Sequence, residues 1–327
     1  MQRNFITDAL VLSVSPAGEN NRSVCILSAD RGILWGILYG GPKSKMRSLV
    51  SPFNRGKMYL YHDAVKKTVK ITDFDVEKFH YSFRESLFKS WAASLACELV
   101  IKTKAAGSPE ECWNLANGFL DGLDLCNEKA GKLGLIRFLW RYLGLLGVQP
   151  DTDACPDCQQ KFLVKSNEAN AKVESVENAA AAVENEQGNK KTIQNIFPVI
   201  CGKKDDKGIS LECSTINTAD ILKHTREDSE PECVAVFSLK DAAFHCADCA
   251  AVNPACKGSF RLSAGSQTLH YFSAISEKSP GEVRAIKISG RAVSEMKQIV
   301  FYLIELAVGQ KLKTIESGFG ILCEQLI

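Results

Sequence analysis

Two Cys-x-x-Cys pairs, Cys155-Pro156-Asp157-Cys158 and Cys246-Ala247-Asp248-Cys249, constrain this chain more than any other feature of its sequence. A two-residue gap lets one tight turn aim two sulfurs at a common point, and two such knuckles supply the four thiolates of a tetrahedral Zn2+ at about 2.3 Å each. Four protein ligands leave no open coordination position, so the expected metal is structural. It would also lend folding free energy to a segment with little apolar core of its own. The knuckles stand 87 residues apart, whereas ordinary zinc ribbons separate them by about 15–20. Loop-closure entropy grows only logarithmically, by about 0.6 kcal/mol per doubling of length, so the long insertion is compatible with the site. Cys201, Cys213, Cys233, Cys256 and His245 stand as alternative ligands.

The chain holds thirteen cysteines in all. With no apolar core or small-residue cleavage site in Met1–Asp8, and no apolar run long enough to span a bilayer, a reducing cytoplasmic setting is expected. Cys25, Cys97, Cys112, Cys126 and Cys323 fall mostly within strand or helix patterns and read as small buried hydrophobes. A redox dithiol at Cys155/Cys158 is the less favoured reading. Such motifs normally follow the first strand of a βαβ unit, whereas here a helical pattern precedes the pair and a second pair lies downstream.

Ahead of the knuckles the pattern is β, then α. Ile6–Val14, Arg22–Ser28, Gly32–Tyr39, Met58–His62 and Thr68–Phe74 are short runs rich in β-branched, aromatic and leucine residues, set apart by turn-formers. Five strands in about 75 residues predict a small barrel of the OB type, with an SH3-like barrel as the alternative. From Tyr81 the period becomes helical: Phe83, Leu87, Trp91, Leu95 and Leu99 recur every four residues. Ser108-Pro109-Glu110-Glu111 is a helix start, Lys132–Leu146 a helix stopped by Gly147 and Pro150, and Val293, Met296, Val300, Leu303 and Ala307 mark another, ended by Gly309. Lys165–Lys191 reads as a surface insertion and Thr192–Leu239 as a few strands or turns.

The net charge of +2 is uninformative, but residues 1–80 carry twelve Lys/Arg against seven Asp/Glu. A basic first domain points to a polyanion. Gly40-Gly41-Pro42-Lys43-Ser44-Lys45-Met46-Arg47 fails as a phosphate loop, because no Gly directly precedes the Lys-Ser pair and no long helix pattern follows. What remains is a mobile basic connection. Lys43, Lys45 and Arg47, with Arg22, Arg55 and Lys57, are the candidate DNA-binding cations. Tyr39, Phe53, Tyr59 and Tyr61 either offer stacking faces to unpaired bases or fill the barrel. No catalytic residue is assigned.

Several local features resemble the RecO family when taken in order. They are Asp30-Arg31-Gly32-Ile33-Leu34 followed by Tyr39-Gly40-Gly41; Ser51-Pro52-Phe53, which departs from the family's Leu-Gln-Pro-Phe at its first two positions; and Leu145-Leu146-Gly147-Val148-Gln149-Pro150 running into the first knuckle. Further on come Phe244-His245-Cys246-Ala247-Asp248-Cys249 and the closing segment Leu306–Ser317. The resemblance implies a bacterial, nucleoid-associated DNA-repair and recombination mediator. Such a protein binds single- and double-stranded DNA, anneals complementary strands and works with RecR. It also binds the acidic C-terminal tail of the single-strand-binding protein and helps load the RecA recombinase. The expected architecture is α+β and multidomain, with an OB-like barrel over 1–78 and a helical domain over 79–150 and 258–327. That domain carries an inserted zinc-ribbon-like four-cysteine module at 151–257, itself expanded at about 163–240. An RNA-binding OB/zinc protein of translation or ribosome assembly is the alternative function, and a thiol oxidoreductase the enzymatic one.

Overall fold

The computed structural model describes residues 3–162, 234–256 and 261–318. The expectations placed on Lys165–Lys191, on residues 192–233, and on Cys201, Cys213, Cys233 and Cys323 lie outside them. Five strands, β1 (Asn4–Ala17), β2 (Asn21–Ser28), β3 (Gly32–Leu38), β4 (Arg55–Asp63) and β5 (Thr68–Lys78), close into a barrel in the order β1-β2-β3-β5-β4. β3 and β5 pair in parallel and the other neighbours antiparallel. This is the OB arrangement.

The apolar runs of β1 and β2 are continuous because both faces of these strands are buried. Ala9, Val11, Val24 and Ile26 point into the barrel, where they meet Leu38, Met58, Leu60, Ile71 and Phe74. Leu10, Leu12, Cys25 and Leu27 point outward into the helical core. A Cβ on Gly56 would lie 2.0 Å from the carbonyl oxygen of Asp75, so only glycine fits where β4 and β5 slip register. Tyr59 and Tyr61 do not fill the barrel. Met58 and Leu60 occupy the inward positions of β4, which leaves both tyrosines on the outside.

The β3–β4 connection holds a short helix, α1 (Met46–Leu49), instead of a featureless link. Val50 is fully buried in the barrel core, and Met46 and Leu49 pack against it, so the apolar residues of this connection plug the barrel.

Beyond a 3-10 turn at Tyr81–Arg84 come α2 (Leu87–Lys102), α3 (Pro109–Leu125) and α4 (Glu128–Leu145). Their starts follow the capping rules: Ser86 accepts from the Lys89 N–H, Ser108 and Glu111 form a reciprocal capping box, and Asn127 accepts from the Ala130 N–H. The expected buried stripe holds at Phe83, Phe88, Trp91, Leu95 and Leu99. Leu87, however, the first helical residue, is 75% exposed.

The C-terminal part returns to the same core. Three short strands, β6 (Ala235–Ser238), β7 (Ala243–Cys246) and β8 (Arg261–Ala264), form a sheet in the order β7-β6-β8, with α5 (Ala247–Val252) following β7 directly. After them come α6 (Ser266–Glu277), α7 (Pro280–Ala285), α8 (Gly290–Val308), which Gly309 ends in the left-handed conformation, and α9 (Lys313–Ser317). Trp140 of α4 stacks on Phe272 of α6 at 3.7 Å. The Trp91 indole donates to the Thr314 carbonyl, and the Glu98 carboxylate accepts the N–H groups of Lys313 and Thr314. The N-terminal and C-terminal helices therefore share one core, although the knuckles interrupt the sequence between them.

Candidate metal centre and barrel surface

The first knuckle is a small hairpin. Ala154 bridges Lys161, the Cys155 N–H donates to the Gln160 carbonyl, and Gln159 adopts a positive φ of 60° at the turn. The second knuckle begins at the end of β7, where Cys246 caps α5 and its sulfur accepts from the Cys249 N–H at 3.5 Å. These two elements bring Cys155, Cys158, Cys246 and Cys249 together, with all four sulfurs within 4.8 Å of one another and Cys158 and Cys246 at 3.6 Å. A tetrahedral ion with 2.3 Å thiolate bonds needs sulfurs about 3.8 Å apart. The donor set therefore fits one metal ion of that size without rearrangement of the chain.

Electrostatics at the cluster match its use as a ligand set. Burial pushes the Cys155 thiol up, but the N–H groups of Cys246, Cys158 and Asp157 aimed at its sulfur outweigh that and bring it down to about 6. Burial raises Cys246, and hydrogen bonding to Cys246 and Cys158 raises Cys249, as expected where several thiols crowd one point and cannot all ionise without a cation. Cys25 and Cys112 lie elsewhere; burial pushes the Cys25 thiol up to about 12 and, against a hydrogen bond with Tyr142, the Cys112 thiol up to about 11, which fits their reading as inert core residues.

His245 is close to the centre, yet both of its ring nitrogens are engaged: Nδ1 with Asp157 and Nε2 with Asp241, each at 2.9 Å. It ties the first knuckle to the β6–β7 turn. Burial pulls its pKa down, but the two carboxylates outweigh that and raise it. Cys256 is buried but stands outside the four-sulfur group. The pairing of Asp157 with His245 carried no sequence signal beyond the acid inside the knuckle, and Asp241 carried none.

The six candidate cations do not share one environment. Lys43 and Lys45 are exposed on the β3–β4 connection. Arg47 donates to the carbonyls of Gly40 and Asn20, clamping that connection to the β1–β2 turn, and Arg22 reaches the Arg47 carbonyl. Arg55 is tied up in an ion pair with Asp121 of α3 at 2.9 Å, and His80 approaches the other oxygen of the same carboxylate. Lys57 is exposed, but its cross-strand partners are Asp8 and Asp75. Among the described residues, no helix is long and apolar enough to cross a membrane.

A closed OB-type barrel, a helical core and an inserted four-cysteine module define a barrel protein with an appended cysteine knuckle pair that could hold a metal ion. Residues 1–77 match the family described as Recombination protein O N terminal, and residues 84–196 match Recombination protein O C terminal. The chain belongs to the RecO family. It is 31% identical over 154 residues to a DNA repair protein RecO of Myxococcus xanthus, covering 46% of this chain and 62% of that one. Against the protein of the same name from Pelotomaculum thermopropionicum it is 30% identical over 157 residues, covering 47% and 60%. The matched region thus spans about three fifths of these relatives.

Proposed function

We infer that the protein is a DNA-repair and recombination mediator, working in the cytoplasm, that binds DNA through the barrel and uses its four-cysteine centre structurally. The observation that carries this reading is an OB barrel with Lys43 and Lys45 exposed on a connection that Arg47 and Arg22 hold in place, in a chain of the RecO family. Cations on a fixed support neutralise phosphates and release counterions, so two complementary strands can approach and pair with less mutual repulsion. Strand annealing, cooperation with RecR, capture of the single-strand-binding protein's acidic tail and assistance in loading RecA belong to the same reading.

Cys155, Cys158, Cys246 and Cys249 would hold Zn2+, which supplies a cross-link between the two knuckles. Four thiolate ligands leave no position for a substrate, so no catalysis is assigned to the centre. Binding of a labelled single-stranded oligonucleotide should weaken steeply with salt, by about 0.7 in log affinity per log unit of salt for each phosphate contacted. Affinity that stays flat between about 50 and 300 mM salt would falsify the reading. Lys43/Lys45→Ala should lower both the affinity and that slope while the fold persists.

A further inference from the structure

The outside of the barrel is only partly available to a ligand. Helices α2 and α3 pack on β1, β2 and β3, and cover the outward side chains Leu10, Leu12, Cys25 and Leu27. OB-folds commonly bind oligonucleotides on the face formed by strands 2 and 3; here much of that face is closed by the protein's own helices.

A different surface is open, and a chain of contacts makes it continuous. The Arg47 guanidinium joins the β1–β2 turn at Asn20 to Gly40 at the end of β3. Next to Gly40, the Tyr39 ring is 44% exposed and lies 5.7 Å from the Lys70 ammonium, which also faces the Tyr61 ring at 5.5 Å. Lys70 pairs with Asp63 at 3.3 Å, and the Asp63 carboxylate in turn accepts the N–H groups of Val65 and Lys66 in the β4–β5 turn. That turn carries Lys66 and Lys67, both exposed, between Val65, which is 92% exposed, and Thr68. Charge is one-sided here: segments 17–23, 38–47 and 61–71 carry seven Lys/Arg, with only Glu19 and Asp63 as acids. Arg55 and Lys57 lie apart, about 20 and 13 Å from Tyr61 along β4 at the strand rise, and are compensated by carboxylates.

Resting on the DNA reading above, we propose that a single DNA strand crosses this surface. Its phosphates would run between the β3–β4 connection and Lys66 and Lys67 of the β4–β5 turn, and its bases would stack on Tyr39 and Tyr61. Tyr39 is exposed and Tyr61 half-buried on the outer face of the barrel, and surface rings beside fixed cations suit unpaired bases, whose faces a duplex keeps stacked. The Lys70 ammonium, lodged against both rings, holds them at a set spacing.

The test is fluorescence anisotropy with a labelled oligothymidylate of about 30 nucleotides, the same length as duplex, and RNA of equal length. Lys66→Gln/Lys67→Gln should weaken single-strand binding several-fold and reduce the salt slope by about 1.4, the value for two lost phosphate contacts. Tyr39→Ala and Tyr61→Ala should each weaken single-strand binding about fivefold or more while changing duplex binding little. Lys104→Gln/Lys129→Gln, on the helical side, should bind as the parent does. If the parent protein binds single strands but the Lys66/Lys67 and tyrosine variants bind equally well, or if Lys57→Gln carries the loss in their place, the proposed surface is wrong and the DNA reading stands. No salt-sensitive binding by the parent protein overturns both. Tighter binding of RNA overturns the assignment to DNA.

Discussion

The barrel and the knuckle module reach order by different means. The barrel encloses its own apolar interior, with Phe74, Met58, Leu60, Val11 and Ile26 all at 1% exposure or less, and its strands are joined by short turns or by a connection that packs on them. In the module, Cys155, Cys246 and Phe162 are buried, and the two halves meet through polar contacts of Asp157 with His245 and Asn253 and through four sulfurs that come together, with Cys158 and Cys246 88 positions apart in sequence. The barrel is held by its own enclosed interior, whereas the module borrows the helical core through Phe162, Phe237 and Phe244 and gathers four sulfurs that could hold a metal ion. The same protein should therefore respond in two separable ways to metal and to core substitution.

Removing the metal tests this most severely. Cys155→Ser leaves three thiolates, and structural zinc in small modules contributes about 10–16 kcal/mol of apparent binding free energy. Elemental analysis should fall from one ion per chain to none, and hydrogen exchange should rise sharply in 151–162 and 234–256 while the barrel amides stay protected. A strong chelator should reproduce the pattern in the parent protein. If protection of β1–β5 collapses as well, the two regions are not energetically distinct. Phe74→Ala is the converse experiment. Loss of a fully buried phenylalanine costs about 3–5 kcal/mol, so the urea midpoint should drop steeply while metal content stays at one ion per chain.

The two regions were also unequally legible. The strands could be read because local chemistry sets them, through β-branched runs, Gly-Gly-Pro and the Asp-Arg-Gly turn, whereas the crossover that sets β3 beside β5 is a non-local pairing no single run announces. Side-chain parity was harder. Tyr59 and Tyr61 read more readily as barrel filling, yet Met58 and Leu60, smaller and better fillers of a narrow interior, take the inward positions. In the module, ligand spacing alone identified the four sulfurs, since a Cys-x-x-Cys knuckle is a local device. The sheet β7-β6-β8 that presents the second knuckle was not legible, because strands of four residues show almost no periodicity. Arg55 was misleading for a different reason. A cation at a strand start looks available until a helix some sixty residues later brings Asp121 to it.

That ion pair supplies the next smaller effect. Asp121 serves both Arg55 and the fully buried His80 ring, whose Nδ1 is bonded to the Phe53 carbonyl. Asp121→Ala leaves two buried or half-buried groups without their acceptor, at a cost of about 1–3 kcal/mol. Because the bond joins β4 to α3, the variant should loosen the barrel's seat on the helices and leave the metal centre alone. Unfolding monitored at the barrel should shift in urea, whereas metal release on heating should not. An equal shift in both would mean that seam and module unfold as one.

Acid offers the mildest way to separate the regions. As pH falls, protons compete with the metal for four thiolates, so the module should give way first. The barrel has its own acid-sensitive group at the β2–β3 turn. There burial pushes the Asp30 carboxyl up, but hydrogen bonds from Ser28, Thr7 and Arg31 outweigh it and bring the pKa down to about 2. Ser28 and Thr7 both donate to its Oδ1 at 2.6 Å, which ties β1 to the end of β2. A carboxyl with a depressed folded-state pKa stabilises the fold fully above its unfolded value, near pH 4, and that contribution fades as pH drops toward 2. Asp30 is largely exposed, so the effect is small. Asp30→Asn should lower the barrel's urea midpoint slightly at pH 7, and the gap to the parent protein should close between about pH 4 and pH 2. If the gap is unchanged at the acid end, the carboxylate acts there through shape and neutral hydrogen bonding, and charge plays no part in holding that turn.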